Sequence, residues 1–407
     1  MSKTFQNYAR FEFKGDEAYV KKGSINLLRD VDAAIFDCDG VLIDIRDSYD
    51  RAISETVAYI LKWFTGYPFP RDMITEEIIF LFRKSGGFNN DWDTCYGILM
   101  FMLCNLPKDF QETFKICARD IDLKEKPSKR LLLIENAVRE KGVSKILNET
   151  IISELIKELK LFADSLDESG ALSVDKSLVS ILHGSIKDCY EDLRHLLYYP
   201  CEVGGSIIPT VFEENFCGSD LVKEAYGVEP VFYTGRGLIE NERVIVRMET
   251  LNRLSSIFGN ANLGIASGSR FKPARYVLGN ILSCFNSNAL VFLDDVEREE
   301  ENILKTTGKT INLKKPNAFS LLKAAEGLIP FKAALYVGDS LEDIMMAEEA
   351  RKTDPRFMFA GVYQYSGFSD TLLQSFLKAG ADIILPSVNE IPFILEELKG
   401  KKKNESS

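Results

Sequence analysis

The most informative part of the chain reads Ala33-Ala-Ile-Phe-Asp-Cys-Asp-Gly-Val-Leu42. Apolar residues run directly into Asp37, and a single residue separates it from Asp39. This pattern predicts a buried strand that presents two carboxylates at its carboxyl end. Paired carboxylates in such a position can attack an electrophile or bind a hard cation, and can move a proton.

Short apolar runs alternate with amphipathic segments on both sides of a long middle region. The runs lie at 33–36, 263–266, 290–293, 333–337, 357–362 and 383–385, and helical patterns lie at about 270–282, 317–327, 340–352, 369–379 and 389–399. Strands that alternate with helices predict an α/β fold with a doubly wound parallel sheet, covered on both faces.

The middle region has long helical periods and few strand-like runs. An apolar stripe that begins at Tyr49 predicts its first helix, which Gly66 ends. Further helices are predicted from about 75, from 91, at about 151–159 and at about 182–196.

These textures predict a sheet domain that an all-helical insert interrupts. We expect a discontinuous core of 31–44 plus 239–399, a helical cap domain at 45–238, an N-terminal extension at 1–30 and a flexible tail at 400–407. Ligands of such sheets bind beyond the carboxyl ends of the strands. An insert that leaves the end of the first strand is therefore expected to act as a lid over a small ligand.

Composition limits the classes of partner. The 407 residues predict two domains, and the net charge of −11 argues against a nucleic-acid partner. No long apolar run and no apolar signal core occur, so we expect no membrane partner and a cytoplasmic location. The eight cysteines form no CxxC pair and there are two histidines, which argues against disulfides and a zinc site. The oligomeric state stays open.

Three later segments carry polar residues next to the predicted strands and helices. Ser267–Arg270 follows the run at 263–266, Lys314-Lys315-Pro316 precedes the helix near 317, and Gly338-Asp339-Ser340 with Asp343 follows the run at 333–337. Because parallel strands end at one edge of a sheet, these groups are expected to meet Asp37 and Asp39 there.

The chemistry that suits these groups is phosphoryl transfer. Asp37, Asp339 and Asp343 offer hard oxygen donors for Mg²⁺, and Lys315 can screen the charge of a phosphoryl group. Ser267 can hold a phosphoryl oxygen, while Asp39 can protonate the leaving oxygen and later activate water.

In this order the four segments resemble the motifs of the haloacid dehalogenase (HAD) superfamily, and more narrowly its phosphoglycolate-phosphatase-like subfamily IA with an enlarged C1-type cap. The resemblance implies a HAD-like Rossmannoid core and a Mg²⁺-dependent phosphoric monoester hydrolase that works through an aspartyl-phosphate. By position, Asp37 matches the nucleophile and Asp39 the acid/base, whose main-chain carbonyl also touches Mg²⁺. Ser267 matches the second motif, Lys315 the third, and Asp339 with Asp343 the fourth.

Six further residues are candidates for substrate contacts: Gly268, Arg46, Asn89, Asn90, Trp92 and Arg236. The asparagines and the tryptophan suit a substrate pocket, but they equally suit a loop that caps the next helix. Arg46 and Arg236 flank the two ends of the insert and could reach a second anion, although surface arginines are at least as common.

Each motif also has a structural interpretation. Asp-Gly is a frequent turn pair, and Ser340 with Asp343 can cap a helix. Asp294-Asp295 and the glutamates that follow are interpreted as a solvated strand end. Cys38 is expected to be a small buried residue, because alternation along a strand points it away from its two neighbouring aspartates.

The leading hypothesis is therefore a Mg²⁺-dependent phosphatase that acts on a small phosphorylated metabolite. A phosphomutase on the same scaffold uses the same motifs and returns the phosphoryl group to the substrate. A non-catalytic binding or regulatory protein of the HAD type is the alternative from a different class.

Overall fold

The computed structural model describes residues 5–13, 16–88, 90–259 and 262–405. The chain forms two compact units. We call Met1–Arg46 together with Glu242–Ser407 the core unit, and Asp47–Asn241 the helical unit.

The core unit is built on an eight-stranded sheet, with a two-stranded ribbon beside it. The strands are β1 (Tyr8–Phe13), β2 (Asp16–Lys21), β3 (Val31–Phe36), β4 (Ile43–Asp44), β5 (Arg243–Val244), β6 (Leu263–Ala266), β7 (Leu290–Val291), β8 (Ala333–Gly338), β9 (Phe357–Val362) and β10 (Ile383–Leu385). The order in the sheet is β1-β2-β10-β9-β8-β3-β6-β7, and the pairs from β10 to β7 are parallel. The predicted α/β fold with a mainly parallel sheet is confirmed.

Helices cover both faces of this sheet and make up the helical unit. They are α1 (Ile25–Arg29), α2 (Tyr49–Thr65), α3 (Glu76–Lys84), α4 (Asp91–Cys104), α5 (Lys108–Asp120), α6 (Pro127–Lys141), α7 (Glu149–Asp164), α8 (Ala171–Ile181), α9 (Ser185–Asp188), α10 (Tyr190–Tyr198), α11 (Ile207–Tyr226), α12 (Met248–Phe258), α13 (Phe271–Leu278), α14 (Leu293–Thr307), α15 (Phe319–Glu326), α16 (Leu341–Thr353), α17 (Ser369–Ala379) and α18 (Ile391–Glu405). Among the described residues, no helix is both long and apolar enough to cross a membrane.

The side chains of the central strands belong to two separate apolar clusters, one on each face of the sheet. In β3, Ala34 and Phe36 belong to one cluster, while Ala33 and Ile35 belong to the other. Successive side chains of a strand point to opposite faces, so a strand that is covered twice must be apolar throughout. This is why the run before Asp37 has no polar alternation.

Residues 8–13 and 16–21 are part of the sheet, whereas the sequence predicts an extension over 1–30. β2 pairs antiparallel with β10, where Val20 lies opposite Ile383, and β1 pairs antiparallel with β2. The Tyr8 hydroxyl also donates to the Ala381 carbonyl at 2.9 Å. Strands near the edge of a sheet carry polar and charged residues, so this segment shows no continuous apolar run in the sequence.

The predicted strand at 290–293 is shorter than expected. β7 ends at Val291, and α14 begins at Leu293. The Asp295 carboxylate accepts the Phe292 N–H at 3.0 Å and so satisfies a free N–H at the start of this helix. Asp294 and Asp295 therefore open a helix, and the prediction of a solvated strand end is wrong.

The helical unit contains the helices that the apolar stripes predict, as well as several that the stripes do not reveal. α2 begins at Tyr49 as predicted, and the single helix predicted at about 182–196 is divided into α9 and α10. α11 is buried on all sides from Ile207 to Gly218. A helix without a polar face has no stripe to detect. At the other end of the chain, α18 runs to Glu405, past the start of the predicted tail.

We predict that Val20→Ala lowers the free energy of unfolding by about 2 kcal/mol, because it removes methyl groups from a fully buried strand position. Guanidinium unfolding measures the change. Val244→Ala is the matched control, since Val244 is 36% exposed and should leave stability unchanged. Equal stability of Val20→Ala and the unchanged protein would contradict the place of β2 in the sheet.

Candidate functional site

Three adjacent strands end at the same edge of the sheet, and a polar segment follows each one. β3 lies between β6 and β8, and all three are parallel. The Asp37 N–H continues the ladder by donating to the Val337 carbonyl at 2.9 Å. Ser267 directly follows β6, and Asp339 directly follows β8. The parallel pairing thus brings together residues that are hundreds of positions apart in the chain.

Lys315 connects two carboxylates at this edge. Its ammonium lies 2.8 Å from Asp37 Oδ2 and 2.7 Å from Asp343 Oδ1. The side chain of Lys315 is 12% exposed, and that of Asp343 is fully buried. Charges with so little water around them need close partners, so this lysine and these carboxylates hold one another in place.

Asp343 is both a site residue and a helix cap. Its Oδ2 accepts the main-chain N–H groups of Asp339 and Ser340, both at 3.1 Å, and the Ser340 hydroxyl at 2.7 Å. Its Oδ1 accepts the Tyr336 hydroxyl at 2.7 Å in addition to Lys315. The capping interpretation of this segment is therefore correct, and the same carboxylate also holds Lys315.

Asp39 is connected to the segment Ser267–Arg270, which we call the serine loop. The Ser269 hydroxyl donates to Asp39 Oδ2 at 2.8 Å, and the hydroxyl oxygens of Ser269 and Ser267 lie 3.0 Å apart. The polar contacts of Asp39 thus extend through Ser269 to Ser267. The sequence marks the segment Ser267–Arg270 as polar, but the predicted catalytic residues include Ser267 and not Ser269.

The arrangement of acidic oxygens suits a divalent cation. Carboxylate oxygens of Asp37, Asp339 and Asp343 all lie within 4.8 Å of one another. Gly40 leaves room for this group, because a Cβ at its position would lie 1.9 Å from Asp339 Oδ2. Carboxylate oxygens are the donors that Mg²⁺ prefers. The residues present therefore fit the cation that the sequence predicts.

Burial and mutual repulsion act on the protonation of these carboxylates. Burial raises the pKa of Asp37 above its ordinary value; Lys315 opposes this rise and Asp343 adds to it. Burial, Asp343 and Asp37 together raise the pKa of Asp339 well above its ordinary value. Such shifts indicate more negative charge than one lysine neutralises, and a bound cation would relieve it.

The pKa values of Asp343 and Lys315 are shifted in the directions that keep both side chains charged. Burial alone would raise the pKa of Asp343, but Lys315 and the hydrogen bonds from Ser340 and Tyr336 outweigh it, so the pKa is lowered. Burial alone would lower the pKa of Lys315, but Asp343 and Asp37 raise it well above its ordinary value. This pair is the stable ionic contact of the site.

Cys38 faces away from this chemistry, as alternation predicts. It is fully buried within one of the apolar clusters of the core unit. Burial and the two neighbouring aspartates raise the pKa of its thiol well above the ordinary value. The thiol therefore stays protonated and is a poor nucleophile.

Two of the candidate substrate residues belong to the core unit. Gly268 is the exposed middle of the serine loop, and a Cβ there would meet nothing within 4 Å. Arg46 pairs with Asp44 at 2.6 Å, and its guanidinium lies 5.1 Å from the centre of the Tyr365 ring. Part of the Arg46 charge is thus already balanced by its neighbour.

The other candidates belong to the helical unit. The Asn90 side chain accepts the Trp92 N–H at 2.9 Å and caps α4, so its capping interpretation is correct. The Trp92 indole donates to Glu213 Oε1 at 2.9 Å, and Glu213 is a buried acid that no sequence motif marks. Arg236 is exposed. Asn89 lies outside the described residues.

We predict that Asp339→Asn and Asp343→Asn change stability in opposite directions when divalent cations are chelated. The folded-state pKa of Asp339 is raised, so its contribution to stability is present below the unfolded value near 3.8 and is lost as pH rises. Asp339→Asn should therefore be more stable than the unchanged protein at pH 7, with the difference shrinking toward pH 4.

The folded-state pKa of Asp343 is lowered, so its contribution is present above the unfolded value and is lost as pH falls. Asp343→Asn should therefore be less stable at pH 7. Unfolding curves in EDTA between pH 4 and pH 8 measure both variants. Destabilisation by both at pH 7 would contradict the unequal charge states of the two carboxylates.

Comparison with solved structures shows the fold. An X-ray structure of a Northeast Structural Genomics Consortium target is similar over 90% of this chain and 99% of its own, with a TM-score of 0.56 and 17% identity. Phosphatase Tt82 from Thermococcus thioreducens is similar over 85% of this chain and 99% of its own, with a TM-score of 0.45 and 20% identity. No protein-family model matches the sequence, and no curated protein matches it. At these identities, the first similarity establishes the α/β architecture alone.

Proposed function

We propose that this chain is a Mg²⁺-dependent phosphatase of the HAD type, which hydrolyses a phosphate monoester through an aspartyl-phosphate on Asp37. The observation that carries the proposal is the contact of Lys315 with Asp37 and Asp343 at adjacent strand ends, next to Asp39 and the serine loop. A nucleophilic carboxylate, a proton donor and a buried cation are the groups that this reaction needs.

In the first step, a carboxylate oxygen of Asp37 attacks phosphorus. The bond from phosphorus to the ester oxygen breaks, and Asp39 gives its proton to the leaving oxygen. The hydrogen bond from Ser269 to Asp39, at 2.8 Å, fixes the orientation of this acid. A positioned proton donor is worth a large factor in rate, since an alkoxide is a poor leaving group.

In the second step, Asp39 accepts a proton from water, and the resulting hydroxide oxygen attacks phosphorus. The bond from phosphorus to Asp37 breaks, which releases inorganic phosphate and restores the Asp37 carboxylate, while Asp39 again carries a proton. Asp39 thus acts first as an acid and then as a base, as the two half-reactions require.

Lys315 reduces the repulsion between a phosphate ester and the Asp37 carboxylate. It lies 2.8 Å from Asp37 and stays protonated because Asp343 raises its pKa. Fixed positive charge where negative charge accumulates stabilises the transition state. The hydroxyl of Ser267, close to Asp37, supplies a hydrogen bond to a phosphoryl oxygen.

Asp37, Asp339 and the main-chain carbonyl of Asp39 would hold Mg²⁺, which would supply further neutralisation of phosphoryl charge. Asp343 belongs to the same acidic group, within 4.8 Å of Asp37 and Asp339. Because both of its oxygens already accept hydrogen bonds, we assign it mainly to holding Lys315 and the start of α16.

The size class of the substrate and the cellular location of the protein are predicted from the sequence rather than from the site. An inserted helical unit predicts a small phosphorylated metabolite, and the charge and hydropathy patterns predict a cytoplasmic setting without nucleic acid or membrane.

We predict that the purified protein releases phosphate from an aryl phosphate, and that it does so faster from one class of phosphorylated metabolite in a panel. EDTA should abolish both activities. Asp37→Asn should lower kcat at least about a thousandfold, because it removes the nucleophile. Phosphate release and circular dichroism measure activity and fold together.

Asp370→Asn is the control, since Asp370 is exposed at the start of α17 and should leave kcat unchanged. Release by Asp37→Asn close to that of the unchanged protein would exclude the covalent mechanism. Transfer of the phosphoryl group to another hydroxyl of the substrate, in place of release, would make the protein a phosphomutase. The absence of turnover with every substrate would favour a binding or regulatory role.

A further inference from the structure

The acidic run on α14 makes contacts that reach both polar loops of the site. Asp294, Glu297 and Glu300 are spaced three residues apart, so they lie along one side of the helix. None of the three is fully exposed. Acidic residues that only solvate a helix would point away from the rest of the protein, and these do not.

Asp294 and Glu297 hold the serine loop. The Phe271 N–H donates to Asp294 Oδ2 at 2.8 Å, and the Leu293 N–H donates to the Ser269 carbonyl at 3.0 Å. The Arg270 guanidinium lies 3.2 Å from Asp294 and 3.0 Å from Glu297. The residue after Ser269 is thus fixed to α14 by ion pairs, and Ser269 itself by a main-chain hydrogen bond.

Glu297 and Glu300 hold the segment that carries Lys315. We call residues 308–318, between α14 and α15, the lysine loop. Glu300 Oε1 accepts the Leu313 N–H at 2.7 Å, and Glu297 Oε1 lies 3.3 Å from the Lys314 ammonium. The described residues of this segment form no helix or strand, so its main-chain N–H groups have no partners within regular secondary structure. Side-chain acceptors such as Glu300 take the place of those partners.

We propose that Glu297 and Glu300 are positioning residues, which set the lysine loop and the serine loop in a fixed relation and thereby place Lys315 for catalysis. This inference rests on the proposed phosphatase function. Glu297 contacts both loops, through Arg270 and Lys314. Glu300 holds the main chain at Leu313, two residues before Lys315. A small rotation of the main chain there would move the Lys315 ammonium away from Asp37.

The test compares substitutions at three positions of α14, which are Glu297, Glu300 and Glu301. Glu300→Ala removes the acceptor for the Leu313 N–H, whereas Glu300→Gln keeps an oxygen acceptor and loses the charge. Glu301→Ala is the matched control, because Glu301 is exposed and pairs with Lys305 one turn further along α14. Hydrogen–deuterium exchange of peptides that cover the lysine loop reports anchoring without any need for turnover.

Glu300→Ala should lower kcat for an aryl phosphate about tenfold with little change in KM, since a misplaced charge weakens transition-state stabilisation more than binding. Exchange in the lysine loop should become faster. Glu300→Gln should restore most of both, and Glu301→Ala should match the unchanged protein. Glu297→Ala should shift in the same direction as Glu300→Ala.

Unchanged kcat and exchange in Glu300→Ala would overturn the proposal, and so would equal losses in Glu300→Ala and Glu301→Ala. An unchanged protein without Mg²⁺-dependent turnover would contradict the proposed function instead. In that case exchange alone decides the anchoring: faster exchange in Glu300→Ala, but not in Glu301→Ala, supports it, and equal exchange overturns it.

Discussion

The buried contact of Lys315 with Asp37 and Asp343 is the constraint on which the site depends. Several carboxylates at one sheet edge repel one another and lose hydration when the core closes over them. A single ammonium within 2.8 Å of two of them offsets part of this cost. The raised pKa values of Asp37 and Asp339 indicate that the compensation is incomplete. This excess of negative charge favours the binding of a divalent cation, which would add positive charge beside the phosphoryl group of the proposed substrate.

The sheet makes this arrangement possible by bringing distant residues together. β3 pairs with β6 and β8 in parallel, so the ends of these strands lie side by side although the helical unit interrupts the chain between β4 and β5. Apolar strands covered on both faces make the base of the site rigid. Rigid support matters because catalytic groups must stay within about 0.5 Å of their productive positions.

Much of the fold follows from the sequence because it depends on local patterns. The structure places β9 at Phe357–Val362 and β10 at Ile383–Leu385, where the apolar runs predict them. The first two strands escaped prediction because charged residues, which are common near a sheet edge, interrupt them, so neither contains a long continuous apolar run. α11 escaped because a helix buried on all sides has no amphipathic period.

The site could be predicted where a motif lies next to a strand end, and could not where distant side chains meet. The contacts of Lys315 follow from its place in the order of motifs. Tyr336 and Ser269 are ordinary residues in the sequence, and their hydrogen bonds to Asp343 and Asp39 exist only in the folded chain. The acidic run of α14 shows the same limit: spacing alone does not distinguish a solvated face from one that anchors two loops.

The central claim is that Asp37 carries a phosphoryl group during turnover, and trapping that group is the most direct measurement. The protein would be mixed with Mg²⁺ and an aryl phosphate, quenched in acid within one turnover and analysed by mass spectrometry. The account predicts the added mass of one phosphoryl group on the peptide that contains Asp37, and none in Asp37→Asn. Rapid phosphate release with no phosphorylated peptide at any quench time, or with the label on another residue, would contradict it.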